Sequence, residues 1–347
     1  MRNLMKAVVA IVALGAMTIL TSPASAAAPV CADVTLPVSI LAGAPKSYNM
    51  YGKLCHPQSG PSSVLQILVH GFTYDHRYWS SPDYGAAYDY VQTATDAGYS
   101  TLAVDRLGTA GQSSRPLSAL MTLQAHATSM HDVITAARAG AITGGPFETV
   151  IAVGHSAGAA ILWVEASLFG DVDGIISSGF GHPLGSGHNL LLNTLPAFFD
   201  IDLQPLVGLD LGYVTTKPGK RDDVFYRTAT SDPAVIAQDE ATKGLGALTE
   251  FGTLPTSEVS TVLITAPVLF VMGEYDNIFC LQASLGGLDD CTDDATLYMS
   301  ERLYFPLVAD FEAYVQPGAG HNNNLHLNAQ DWFDRAMNWS LARFPPQ

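Results

Sequence analysis

The stretch Val150-Ile-Ala-Val-Gly-His-Ser-Ala-Gly158 decides the fold, because it drives an apolar β-run directly into Gly-x-Ser-x-Gly. Thr149 to Val153 has the β-branched, apolar character of a buried strand, and Ala157 to Phe169 is proline-free and reads as a helix. Ser156 is therefore expected on a strand-to-helix turn. Such a turn is so sharp that the positions two residues either side of the serine must be nearly free of side chain. Gly154 and Gly158 meet that demand, and the turn lifts the serine Oγ clear of the sheet. A serine so placed is a candidate nucleophile.

A serine hydroxyl is a poor nucleophile at neutral pH, so a base must take its proton and a carboxylate must orient that base. The oxygen on which charge develops also needs preorganised donors. Ser63 to Val69 is a second buried-strand pattern ending in His70-Gly71-Phe72, where Gly71 lets the backbone turn so that an N–H faces a reaction centre. The N–H groups of Phe72 and Ala157 are the candidate oxyanion-hole donors. Downstream, Pro267 to Met272 reads as a strand and leads into Gly273-Glu274-Tyr275-Asp276, which makes Asp276 the candidate acid and Glu274 its rival. Phe311 to Val315 is a shorter strand, followed by the glycine-rich loop Gln316 to Gly320 that delivers His321, the candidate base. His326 reads as a surface residue, and Asp105 as a residue that fixes the loop after its strand.

The set His70-Gly71-Phe72, Asp105-Arg106-Leu107-Gly108, Gly154-His155-Ser156-Ala157-Gly158, Gly273-Glu274-Tyr275-Asp276 and Gly318-Ala319-Gly320-His321 resembles the α/β-hydrolase superfamily over roughly residues 60 to 345. The chain order Ser156, Asp276, His321 is that of the superfamily. The resemblance implies a mostly parallel central sheet with helices on both faces, and a nucleophile, acid and base at those three positions. It departs from the pattern in one respect. The connection from acid to base is longer than the resemblance implies, and two cysteines, Cys280 and Cys291, lie within it.

Alternation of strand and helix signals supports the same architecture. The strand patterns at Ser63, Ser100 to Val104, Thr149 and Asp173 to Ser178 are separated by helix patterns near Tyr84 to Ala97 and Ser118 to Arg138, and a closing helix falls near Ala329 to Leu341. Between Ser178 and Pro267 the pattern breaks, and a cap insertion is expected over about residues 181–262. Its apolar residues, Leu190 to Leu192, Leu195, Phe198, Phe199, Ile201, Leu203, Leu206, Leu209 and Leu211, are expected either to line a pocket over Ser156 or to form the insertion's own small core.

The chain begins with Arg2 and Lys6, continues through an apolar run to Leu20 and reaches Ser22-Pro-Ala-Ser-Ala26. That is the pattern of a secretory signal peptide cut after Ala26, or alternatively after Ala28, leaving residues 27–347 as the hydrolase domain. No later stretch is apolar for long enough to span a membrane, so no stable membrane anchor is expected. The chain carries a formal net charge of −16, and removal of the leader would take away two more positive charges. Nucleic acid is therefore an unfavourable partner. Four cysteines allow three pairings, and the local solutions, Cys31 with Cys55 and Cys280 with Cys291, suit an exported protein.

These readings converge on a secreted serine hydrolase that cleaves a small, partly apolar carboxylic ester through an acyl-enzyme, with no metal or organic cofactor implied. A lactonase, an amidase or aminopeptidase and a cofactor-free perhydrolase share the same triad, since those choices lie in pocket shape. Dehalogenase and epoxide-hydrolase chemistry would need an aspartate at position 156. A protein that captures a small ligand without turnover is the alternative of another class.

Overall fold

Strands buried on both faces must be nearly continuous in apolar character, and such strands pair in parallel with helices covering each side. In the computed structural model, which describes residues 27–109, 111–182, 188–280 and 289–346, this constraint builds the core. The expected leader, residues 1–26, lies outside the described residues. In chain order the strands are β1 (Val30–Val38), β2 (Tyr48–His56), β3 (Val64–Val69), β4 (Ser100–Val104), β5 (Thr149–His155), β6 (Gly174–Ser178), β7 (Thr194–Pro196), β8 (Tyr213–Thr216), β9 (Gly246–Ala247), β10 (Val268–Gly273) and β11 (Phe311–Gln316). Every residue of β3, β4, β6 and β10 is buried.

Eight of these strands form one sheet in the order β1-β2-β4-β3-β5-β6-β10-β11. From β4 to β11 every pair is parallel, while β1 with β2 and β2 with β4 are antiparallel. The mostly parallel sheet expected from the sequence is thus present. Its helices include α1 (Tyr90–Asp96), which packs with the C-terminal helix Ala329–Arg343, and α2 (Leu123–Arg138), which packs with α3 (Ala157–Phe169). Both α1 and α2 start later than the sequence pattern suggests. The Asp89 side chain accepts from the Gln92 N–H and the Thr122 side chain from the Ala125 N–H, so each caps the helix at that point. The residues before each cap form short 3₁₀ turns at Ala86–Tyr88 and Ser118–Leu120.

The topology brings four loops to one place. β3 and β5 are neighbours in register, with Val69 opposite Gly154, and the carboxyl ends of β3, β5, β10 and β11 lead to His70, Ser156, Asp276 and His321 respectively. The carboxyl edge of a parallel sheet is where such a fold binds ligands. Over the span between β6 and β10 the chain leaves the sheet and forms short helices with a second, three-stranded antiparallel sheet, β7-β8-β9. The insertion does not bury its apolar residues uniformly. Leu190 and Leu203 are buried, whereas Leu192, Phe199, Ile201, Leu209 and Leu211 face solvent. Among the described residues no helix is long and apolar enough to cross a membrane.

Both cysteine pairs are bonded as the spacing suggests. Cys31 stands directly opposite Cys55 in the β1–β2 register and is joined to it, and Cys280 is joined to Cys291, with the two cysteines 11 residues apart. Val30 to Asp33 have little buried side chain to announce a strand, and pairing with Lys53 to His56 supplies the missing support. The second disulfide follows the Asp276 loop, where the Cys280 N–H donates to the Asp276 carbonyl at 3.1 Å. Closing a loop of that size contributes about 3 kcal/mol on chain-entropy grounds. Replacing Cys280 and Cys291 together by serine is therefore expected to lower Tm by several degrees, and non-reducing peptide mapping of the unmodified protein should recover the two pairs. Recovery of a Cys31–Cys280 peptide would contradict the pairing.

Candidate active site

Ser156 occupies a backbone conformation that L-residues rarely adopt, with φ 53° and ψ −122°. Thr73 and Ser156 are the non-glycine residues with positive φ among those described, and both lie at this site. The chain tolerates the turn because its flanks are bare. A Cβ on Gly154 would stand 2.6 Å from the Ala159 backbone, and one on Gly158 would stand 2.1 Å from the Val69 carbonyl oxygen. Strain of this kind persists only where the surroundings over-determine it. Here the Ser156 N–H also donates to the Ser178 carbonyl at 2.8 Å.

The three sequence-predicted side chains come together at this turn. His321 Nε2 is 2.9 Å from Ser156 Oγ, and His321 Nδ1 is 2.8 Å from Asp276 Oδ2. His321 and Asp276 are buried, whereas the serine keeps a small exposed area. The second oxygen of Asp276 accepts from the N–H groups of Ile278 and Phe279 at 2.7 and 3.2 Å, which fixes the carboxylate while leaving its first oxygen for the imidazole. Glu274 has a different partner. Its Oε2 accepts from the Gly318 N–H at 2.8 Å, so it clasps the loop that carries His321 instead of facing the ring. The ring itself is flanked by Phe225, Phe279 and His155.

The loop after β3 is held by a buried polar network. His70 Nδ1–H donates to the Gly71 carbonyl at 2.8 Å, and Arg106 Nη2 donates to the same oxygen at 3.1 Å. His70 Nε2 accepts from the Arg106 N–H at 3.1 Å, and burial together with the Arg106 charge pushes its pKa down to about 3, so the ring stays neutral. Arg106 is in turn paired with Glu250 at 2.6 Å. Burial opposes the charge on Glu250, but the Arg106 guanidinium and His126 hold its pKa down at about 2. The Gly71 carbonyl and the Phe72 N–H belong to one planar trans peptide, in which they point to opposite sides. Pinning the carbonyl therefore aims the Phe72 N–H. Ala157 opens α3, so its N–H is one of the donors a helix start leaves without an intrahelical partner. Among the described residues neither of these N–H groups donates to a backbone or side-chain acceptor.

Several contributors carried no signal in the sequence. His155 is buried and stacked on Tyr78, and burial together with the neighbouring His321 holds its pKa well below the usual imidazole range. Arg221 makes a two-toothed pair with Asp239 and donates to Thr73 Oγ1 at 2.9 Å, while Tyr74 and Tyr226 both donate to Asp239. The insertion thereby grips the β3 loop. His326, read from the sequence as a surface residue, is instead fully buried. Its Nε2 accepts from the Gly320 and Arg227 N–H groups and its Nδ1 donates to the Asn322 carbonyl, so it holds the loop of His321 in shape. Asp105 does fix its loop, accepting from His76 and from the Gln112 N–H.

A pocket opens beside Ser156 and Ala157, walled by Phe72, Phe180, Phe279 and Ile278 and, from the insertion, by Leu190, Glu250, Phe251 and Leu254. Of the insertion residues picked out by hydropathy, Leu190 alone is among the pocket-lining residues; Phe251 and Leu254 were not singled out. Phe251 packs edge-on against Phe72, with ring centres 4.5 Å apart.

The chain is similar in fold to a thermophilic esterase from Thermogutta terrifontis, with a TM-score of 0.60 and 15% identity over 89% of this chain and 97% of the other. It is also similar to a monoacylglycerol lipase from Paleococcus ferrophilus, with a TM-score of 0.55 and 17% identity over 85% and 99% of the two chains. An epoxide hydrolase from Vigna radiata matches with a TM-score of 0.56 and 14% identity over 89% and 97%. No curated protein sequence matches the chain. At these identities the likeness to solved structures speaks for the fold. The pattern that describes the alpha/beta hydrolase family matches residues 66–336, which is most of the chain, and with the sheet and its loops in place the protein belongs to that family.

Proposed function

We propose that this protein is a secreted serine hydrolase that cleaves small, partly apolar carboxylic esters through an acyl-enzyme. The observation that carries the reading is the unbroken chain of contacts from Ser156 Oγ through His321 to Asp276, at 2.9 and 2.8 Å. In this reading His321 Nε2 removes the Ser156 proton as Oγ attacks the ester carbonyl, and Asp276 holds the ring with its other proton on Nδ1 and stabilises the imidazolium. The Phe72 and Ala157 N–H groups receive the developing oxyanion. His321 then returns its proton to the leaving alcohol, and a water activated by the same ring releases the acyl group. The side walls of Phe180, Phe251, Leu254 and Phe279 favour an apolar group next to the carbonyl.

The esterase and lipase among the similar structures agree with ester chemistry. Epoxide hydrolysis is disfavoured by serine at position 156. The insertion, in this reading, is a cap spanning about residues 181–262 that shields the pocket. Export rests on the leader pattern of residues 1–26 and agrees with two disulfides.

A fluorophosphonate probe is expected to label Ser156, and Ser156→Ala should lose both labelling and turnover of chromogenic esters while its circular dichroism stays that of the parent. Retained labelling would place the nucleophile elsewhere, and labelling without any turnover across esters, lactones and amides would favour a binding protein.

Asp276→Asn is expected to lower kcat by about 10⁴, the usual cost of presenting the wrong imidazole tautomer, whereas Glu274→Gln should cost far less because its partner is the Gly318 N–H. Steady-state kinetics of the two variants decides, and the opposite ranking would move the acid to Glu274.

Arg106→Lys keeps the charge opposite Glu250 but loses the fork that also reaches the Gly71 carbonyl. A fall in kcat of about 10²–10³ with little change in KM is expected, the value of a misplaced oxyanion donor. Unchanged kcat would remove Arg106 from that role.

A further inference from the structure

On the flank of the sheet, where α2 and α3 lie together, the chain buries a carboxylate whose oxygens have no hydrogen-bond partner among the described residues. Glu165, toward the far end of the helix that Ser156 opens, is fully buried, and neither of its oxygens accepts a hydrogen bond among the described residues. A buried carboxylate is costly while charged, and it is relieved by taking up a proton, by pairing or by binding a cation. Two further groups that can ligate a metal stand beside Glu165. His131 Nδ1, from α2, is 3.7 Å from Glu165 Oε1, and Asp171 Oδ2, just beyond α3, is 2.7 Å from the same nitrogen. One ligand atom from each residue can be chosen so that all three lie within 4.8 Å of one another.

We infer that His131, Glu165 and Asp171 form a binding site for a divalent transition-metal ion with the chemistry of zinc. An imidazole nitrogen with two carboxylates is a donor set that zinc accepts, whereas calcium needs six or more oxygens. Zinc bonds of 2.0–2.2 Å in a tetrahedron set neighbouring donors about 3.3 Å apart, and the separations of 3.7 and 2.7 Å fall either side of that value. Small side-chain shifts suffice, with water in the fourth position. The frame is already ordered. The His131 ring is stacked on Phe169 at 3.8 Å, and Arg138 donates twice to the Asp171 carbonyl, at 3.0 and 2.7 Å. His131 and Asp171 keep 33% and 20% of their side-chain surface exposed, so an ion can enter at the rim while Glu165 receives it from below. The ligands come from α2, from α3 and from the segment after it, so no short His-x-x-x-His spacing announces them. The site is independent of the ester chemistry proposed above and would clamp α2 to α3.

The test uses the full protein, stripped with a chelator and titrated with zinc chloride in competition with a chromophoric indicator, with cobalt(II) as an optical reporter. A single equivalent of zinc is expected to bind, with ligand-field absorption for cobalt and a Tm that climbs as zinc is added. Binding should weaken at least about tenfold in Glu165→Gln and in Asp171→Asn, and stay unchanged in His321→Gln. Asp171→Asn, at the partly exposed rim, decides the matter alone if Glu165→Gln does not fold. The proposal is overturned if no stoichiometric zinc binds, if the foldable variants bind as tightly as the parent, or if His321→Gln is the variant that loses binding, which would place the ion at the candidate active site.

Discussion

The structure turns on a single strained residue. Ser156 holds positive φ between a strand and a helix, and the two glycines around it let α3 and β3 approach to distances that any side chain would forbid. That close approach has three consequences. It places the first N–H of α3 beside Oγ, brings the loop after β3 alongside, and leaves the hydroxyl facing outward from the carboxyl edge of the sheet. If the turn relaxed, each of those relations would loosen together. The strain is held by the hydrogen bond from the Ser156 N–H to β6 and by the burial of every residue of β5 but Thr149.

Around that turn the loops are fixed by buried charge. The Arg106–Glu250 pair joins the loop after β4 to the insertion, and the Arg221–Asp239 pair lies within the insertion, from which Arg221 also reaches Thr73 in the loop after β3. A buried pair of this kind is weak evidence for stability, because desolvation offsets most of the attraction. Its value here is geometric. Arg106 also reaches the Gly71 carbonyl, and Arg221 reaches Thr73, the other non-glycine residue with positive φ among those described. The first contact acts on the Gly71–Phe72 peptide and the second on the side chain of the residue after Phe72, and a neutral apolar substitute could pack in the same volume without making either.

The legibility of the site in the sequence varied with how local each feature is. Ser156 was readable because the steric demand for glycine at positions 154 and 158 is met within five residues. Asp276 and Glu274 were harder to separate, since both follow the same strand end. The structure distinguishes them by partner, with Asp276 against His321 and Glu274 against the Gly318 N–H. His326 was misread because a histidine in a polar run looks solvated, and its burial follows from two backbone donors, at Gly320 and Arg227, that lie on separate segments. In the insertion, hydropathy pointed at Phe199, Ile201 and Leu209, which face solvent, and passed over Phe251 and Leu254, which meet the pocket.

Sequence alone determined the strand-turn-helix at Ser156 and the chain order of the strands that carry the candidate residues, while it left three cysteine pairings open, of which the structure holds the two local bonds. The first two depend on alternation and on side-chain size next to a turn, and both act over a few residues. Tertiary structure decided which carboxylate meets the imidazole, which way the Gly71–Phe72 peptide points, and which residues of the insertion line the pocket. Those depend on hydrogen bonds and contacts between residues far apart in the chain, such as Arg106 with Glu250 and Phe72 with Phe251. Such contacts have no fixed spacing, and they come into being only when the sheet has brought its carboxyl edge together.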